Sequence, residues 1–352
     1  MAYPVVERPK HFKTGIVGGA GYTGAELVRL LSIHPEVSLE FVTSEQYRGQ
    51  NLADVHPHLS ELTSLELIGA EQALEKDVDC VFLALPHGVS QKYAAAFLEK
   101  NIHVIDLSGD FRLRDGATYQ KWYGREHGAA HLLDEAVYGL PELYRNAVRH
   151  ARLVANPGCY PTASILALWP LIREELIETH SIIIDAKSGV TGAGATPRAH
   201  THFPRVTGNF SAYGIATHRH TPEIEQALSQ NDRQPVVQFT PHLLPVDRGI
   251  LATIYATPKG SWHPELVNEV FARAYFNEQF VRVMKQPPEM KQVRGSNYCD
   301  LHARYDERTG RIIIVSVIDN LVKGAAGQAI QNMNILFRLK ENCGLRQLPV
   351  YP

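Results

Sequence analysis

The chain has 352 residues, a formal net charge of −2, 44% hydrophobic and 20% charged residues. That length predicts two domains rather than one core, and without a clustered Lys/Arg run non-specific nucleic-acid binding is not expected. No apolar run reaches the roughly 20 residues of a membrane span.

Residues 1–13 mix Glu7, Arg8, Lys10 and Lys13 with prolines and lack the apolar stretch of a signal peptide. Phe12 to Val17 reads as a strand, followed by Gly18-Gly19-Ala20-Gly21-Tyr22-Thr23-Gly24, a helix from Ala25 to about Ile33, and a strand from Val37 to Thr43. Glycines at the first turn of such a βαβ unit point to a dinucleotide. Gly18 allows the tight turn, Gly21 lets backbone approach a pyrophosphate, and Gly24 lets helix pack on strand. The spacing is not the commonest dinucleotide form, and a glycine-rich turn without ligand is the alternative. An NAD site places an acid at the end of the second strand, whereas here stand Thr43, Ser44 and Arg48. Hydroxyls and a guanidinium suit a 2′-phosphate, so NADP(H) is favoured. Glu45 would reverse this after a one-residue shift, and Arg48 has a solvated alternative. Strands are expected at Val78–Leu85 and Ile102–Leu107, with a helix from Val89 to Lys100 between them. The polar clusters Pro86-His87-Gly88 and Ser108 to Arg112 fall at strand carboxyl ends, where open parallel sheets bind ligands. Arg112 has two readings, a bidentate clamp on a substrate carboxylate or a surface pair with Asp110 or Asp115. His87 reads as a loop histidine.

A strand from Arg152 to Ala155 leads into Asn156-Pro157-Gly158-Cys159-Tyr160-Pro161-Thr162 and an apolar helical run, Ala163 to Leu171. A cysteine at a helix N-terminus sits in a positive partial field, which lowers its pKa and favours the nucleophilic thiolate. The alternative for Cys159 is a buried structural thiol. Ser181 to Ala186 is a strand, followed by the small-residue loop Ser188-Gly189 to Ala195, which lets backbone approach a phosphate or acyl group. In His218-Arg219-His220-Thr221-Pro222-Glu223, Thr221 and Pro222 start a helix that runs to about Leu228. A histidine here suits the acid–base partner of a thiol. With His56/His58 and His200/His202 a metal site has to be weighed, but the spacing to complete a ligand set is missing and no metal is expected. Further strands read at Val236–Thr240, Gly249–Ala256, Phe280–Met284 and Arg311–Ile318, with helices at 263–277 and Ala325–Lys340. Strand following strand predicts an α+β second domain with a mainly antiparallel sheet. Cys80, Cys159, Cys299 and Cys343 follow neither metal nor disulfide spacing, which fits a cytoplasmic protein.

On these motifs, with Gly109 to Leu113, Tyr138 to Glu142 and Ile318 to Gly324, the chain resembles N-acetyl-gamma-glutamyl-phosphate reductases of arginine biosynthesis almost end to end. The resemblance implies an α/β fold. A Rossmann-type NADP-binding domain would span 1–156, with 325–352 returning to it. An α+β substrate and dimerisation domain of the semialdehyde dehydrogenase type would span 157–324. It implies a homodimer or homotetramer, Cys159 as nucleophile passing through a thioester, and His218 as acid–base residue. Cofactor contacts would come from Gly18, Gly19, Ala20, Gly21, Tyr22, Thr23, Ser44, Arg48, Pro86, Ser188, Gly189 and Asn320. Substrate contacts would come from Arg112, Asn156, His220 and Glu223. The rival readings are the same chemistry on aspartyl phosphate or on a carrier-bound acyl phosphate, a metal-dependent hydrolase using the histidine pairs, and a non-catalytic NADPH-binding protein.

Overall fold

The structure is a computed structural model and describes residues 12–230, 234–260, 262–263 and 265–352. The expectation for residues 1–11, and that for residue 264 in the helix expected at 263–277, lie outside the described residues.

Among the described residues, β1 (Phe12–Val17), β2 (Val37–Thr43), β3 (Leu67–Ile68), β4 (Cys80–Leu83), β5 (His103–Asp106), β6 (Val137–Tyr138) and β7 (Leu153–Ala155) form one sheet in the order β3-β2-β1-β4-β5-β7-β6. Every pairing in it is parallel. The inner strands β4 and β5 are almost wholly buried, β4 as the continuous apolar run Cys80–Leu83, because helices cover both faces. Gly24 makes the first βαβ unit tight: a Cβ there would stand 2.5 Å from the Gly18 carbonyl oxygen.

The second sheet contains β8 (Ile182–Ser188), β9 (Ser211–Ala212), β10 (Val237–Leu243), β11 (Ile250–Ala256), β12 (Val281–Val283), β13 (Cys299–Asp306) and β14 (Arg311–Ile318), in the order β12-β13-β14-β11-β8-β10-β9. It is mixed: β8/β10 and β12/β13 are parallel and the other pairs antiparallel. Burial alternates along β8 and β11, so one face takes the core and the other is left half-open.

The helix Cys159–Arg173 covers the core face, packing on β11, β14 and the helix His220–Leu228. It is apolar nearly all round and buried accordingly. It starts at Cys159, four residues before the expected apolar run. Gly158, extended at φ −67° and ψ 158°, is its N-cap. Pro161 falls in the first turn, where a missing N–H leaves no bond unmade. Pro170 removes a donor inside the helix, and the freed Leu166 carbonyl accepts the Tyr275 hydroxyl instead.

The chain then returns. A π-helical turn, Val322–Ala326, leads into the helix Gly327–Leu336, whose Ile330 and Met333 share a core with Ile16, Leu27 and Leu30 of the first sheet's layer. Three ion pairs fix this arrangement. Lys323 Nζ donates to Glu142 Oε1 at 2.6 Å. Arg248 joins Glu26, on the helix after the glycine turn, at 2.9 Å and Asp319, after β14, at 3.6 Å.

Candidate active site

A cavity of about 380 Å³ lies where the carboxyl ends of β1, β4, β5 and β7 meet those of β8 and β14. Gly21, Tyr22, Thr23, Pro86, Arg112, Asn156, Cys159, Ser188, His218, His220 and Asn320 line it, so most of the expected residues converge. Gly18, Gly19, Ala20, Ser44, Arg48, Gly189 and Glu223 do not line it.

The glycine turn divides by task. Gly18 has φ +99°, and a Cβ on it would meet the Ala84 carbonyl oxygen at 2.5 Å. A Cβ on Gly19 would meet Val42 at 1.9 Å, so both are required by packing. Gly21 differs: it is the N-cap of the helix Tyr22–Ser32, lines the cavity, and has nothing within 4 Å of a Cβ position. That open cradle at a helix N-terminus fits a cofactor's pyrophosphate. At the end of β2 the expectation needs correcting. The Thr43 hydroxyl accepts the Gly18 amide at 3.0 Å and the Ser44 hydroxyl the Tyr47 amide at 3.2 Å, so both are buried scaffold. Glu45 accepts the Ala70 amide at 2.8 Å. Arg48 is exposed and lies against Gly69.

Cys159 occupies the first position of its helix at the cavity wall. Its thiol is not the lowered one that the helix terminus predicts. Burial pushes it up to about 11, outweighing Arg112 and the Tyr160 amide, which pull it down. His218 packs edge-on against Tyr160 and Tyr213, with ring centroids 5.7 Å away in each case. Burial, reinforced by Arg219, lowers it to about 4, so the ring is neutral at neutral pH. Its Nδ1 accepts the His220 amide at 3.1 Å. A backbone N–H can only donate, so the neutral ring carries its proton on Nε2. His220 is also held neutral by burial, and its Nδ1 is buried without a partner.

Glu223 stands behind the cavity wall, and Arg112 and Asn156, which line it, also hold the scaffold. Glu223 is 1% exposed behind the wall, where Oε1 accepts the Gly158 amide and the Tyr138 hydroxyl, each at 2.8 Å. Its Oε2 faces Arg112 Nη1 at 3.4 Å. Asn156 donates to the Ala325 carbonyl and accepts from Asn332, both at 3.2 Å, tying β7 to the returning helix. Arg112 donates to the Asn156 and Leu107 carbonyls, each at 2.8 Å, and pairs with Glu223 rather than with Asp110 or Asp115. Asp110 takes the Gly88 amide and Tyr119, and Asp115 caps the helix Gly116–Tyr123.

On the second sheet's side Asn320 Oδ1 accepts the Gly249 amide at 2.7 Å and its Nδ2 donates to Thr191 at 3.0 Å, bracing the small-residue loop. Gly189 is a close-packing position, 2.7 Å from the Asp247 carbonyl oxygen at its Cβ site. His87, read as a loop residue, lines the cavity; its Nδ1 accepts the Gly109 amide at 2.8 Å, and burial lowers it to about 3. Tyr123, Tyr213 and Arg219 line it too and were not singled out. Arg219 stands between the two histidines in sequence and Tyr213 five residues before them, which was their only signal. Among the described residues no three metal-ligating side chains converge.

Residues 13–151 match the family model "Semialdehyde dehydrogenase, NAD binding domain", and residues 159–320 match "Semialdehyde dehydrogenase, dimerisation domain". The fold and site are thus those of a two-domain, nicotinamide-dependent semialdehyde dehydrogenase. The chain is 54% identical over 347 residues to an N-acetyl-gamma-glutamyl-phosphate reductase of Symbiobacterium thermophilum, covering 97% of this chain and 99% of the relative. The corresponding reductase of Geobacillus kaustophilus is 49% identical over 340 residues, with 96% and 99% covered. The chain belongs to the N-acetyl-gamma-glutamyl-phosphate reductase family. Solved structures share its fold at low identity. Aspartate semialdehyde dehydrogenase II of Vibrio cholerae, complexed with ASA, aligns with TM-score 0.70 at 18% identity over 94% of this chain and 99% of that one. Aspartate semialdehyde dehydrogenase of Candida albicans, with NADP, aligns with TM-score 0.67 at 16% identity over 93% and 99%.

Proposed function

We propose that the chain reduces N-acetyl-gamma-glutamyl phosphate to N-acetyl-L-glutamate 5-semialdehyde and phosphate through a thioester on Cys159, with NADPH as reductant. The observation that carries the proposal is Cys159 at a helix N-terminus, in one cavity with the open Gly21 cradle and with His218, whose Nδ1 is taken by the His220 amide.

Gly21, Tyr22 and Thr23 hold the cofactor's phosphates. Arg48, exposed and without an ion pair among the described residues, takes the 2′-phosphate, while Glu45 is occupied by the Ala70 amide. Cys159 Sγ bonds to the acyl carbon, and the departing phosphate carries off the thiol proton and the electron pair of the broken C–O bond. This divides one hard step into two easier ones. When bound, the nicotinamide supplies a hydride to the thioester carbon. His218 Nε2–H gives its proton to the oxygen as negative charge builds there. The thiohemiacetal hydroxyl returns that proton to His218, the C–S bond breaks with its electron pair on sulfur, and the Cys159 thiolate takes up a proton from water to restore the thiol. Glu223 and Arg112 keep the Gly158–Cys159 turn in place for both steps.

Ile183, Leu251, Tyr255 and Ile313 on the half-open face of the second sheet support assembly as a homodimer or a pair of dimers. Four cysteines free of disulfides fit a cytoplasmic setting. The test is reduction of NADP⁺ by N-acetyl-glutamate 5-semialdehyde with and without phosphate, beside aspartate semialdehyde. A phosphate-dependent rate with the acetylated compound alone is expected; equal rates with both would sink the substrate assignment.

A further inference from the structure

Two cations line the cavity, Arg112 and Arg219, and no carboxylate does. Arg112 is neutralised by Glu223, and two backbone carbonyls take two more of its five donors. The cavity's histidines, His87, His218 and His220, are all held neutral by burial. Arg219 is exposed, has no ion pair or hydrogen bond among the described residues, and lies 5.3 Å over the Tyr123 ring. Tyr123 belongs to a helix of the first domain's layer, whereas Arg219 precedes the helix His220–Leu228 beside the second sheet. Its guanidinium therefore reaches across the cavity mouth, resting on an aromatic face that orients it without using its N–H donors.

A substrate with a carboxylate and a phosphoryl group brings several negative charges into this space. Desolvating them without a counter-charge is costly. Building on the acyl-phosphate reading above, we infer that Arg219 is the substrate's anion receptor, taking the phosphoryl group or the α-carboxylate in a charge-assisted pair, and that Arg112 is a positioning residue. The fork of guanidinium donors matches either anion.

The reverse reaction separates the two anions, because phosphate and semialdehyde are added independently. The Michaelis constants for both would be measured for the wild type, Arg219→Ala and Arg219→Lys. Losing a charge-assisted contact predicts a rise of about 10–100-fold in one of the two constants. The turnover number would change by less than about threefold, and Arg219→Lys would recover part of the loss. A rise confined to phosphate assigns the phosphoryl group; a rise confined to the semialdehyde assigns the carboxylate. Both constants unchanged, or a fall in turnover alone, would overturn the inference. A wild type without phosphate-dependent turnover would instead remove the reading on which the inference rests.

Discussion

Glu223 holds the nucleophile's turn from behind, and replacing it tests how that turn is built. Its carboxylate accepts the Gly158 amide and the Tyr138 hydroxyl at 2.8 Å and faces Arg112 at 3.4 Å, with 1% of the residue exposed. Glu223→Ala leaves an amide, a phenol and a guanidinium facing a small void. Breaking a buried pair from one side costs about 3–5 kcal/mol, a large share of the roughly 5–15 kcal/mol that holds a typical protein folded. Glu223→Gln keeps an acceptor and loses the charge, so its cost is that of weakened charged hydrogen bonds, about 1.5–3 kcal/mol. Urea denaturation with a common slope reads both differences from the midpoints. Turnover falls as well, because Gly158 carries Cys159. An Ala variant within about 0.5 kcal/mol of wild type, the range of ordinary surface changes, would refute this reasoning.

His218→Asn removes the proposed proton donor, and steady-state turnover is expected to fall by about 10²–10⁴-fold. An equal loss for His220→Asn with little loss for His218→Asn would reassign the role. The same histidine also links stability to pH. Its folded pKa is lowered from 6.5 to about 4, so the unfolded chain binds the extra proton between those values. Its contribution is complete above pH 6.5 and is lost as pH falls toward 4. Across that window wild-type stability should fall more steeply than that of His218→Asn, by about 1.4 kcal/mol per pH unit at most. Parallel urea-midpoint curves would contradict this.

The parts of the fold written into local pattern were legible. β1, β2 and β14 run between the residues expected, since apolar runs and flanking turn residues bound them. β3, β6 and β9 span two residues each, too short for any alternation to show. β13 alternates Leu301 and Ala303 against His302 and Arg304, but Asp300, buried against Arg282 at 2.6 Å, interrupts the pattern. The glycine turn and the cysteine at its helix start were legible because backbone conformation dictates both. The tasks of Glu223 and Asn156 were not, because their partners stand 65 residues away at Gly158 and 176 away at Asn332. The state of the Cys159 thiol was misread for a related reason. The helix terminus is a local feature of the sequence, whereas the burial that overrides it belongs to the assembled cavity.

The most direct test of the account is to withhold phosphate. Enzyme mixed with N-acetyl-glutamate 5-semialdehyde and NADP⁺ alone can form the thioester but cannot release it as acyl phosphate. Intact and peptide mass spectrometry should then find one N-acetylglutamyl group on the Cys159 peptide, with an NADPH burst matching the enzyme present, and added phosphate should clear it. No adduct on that peptide, or undiminished turnover in Cys159→Ser, would contradict covalent catalysis at Cys159.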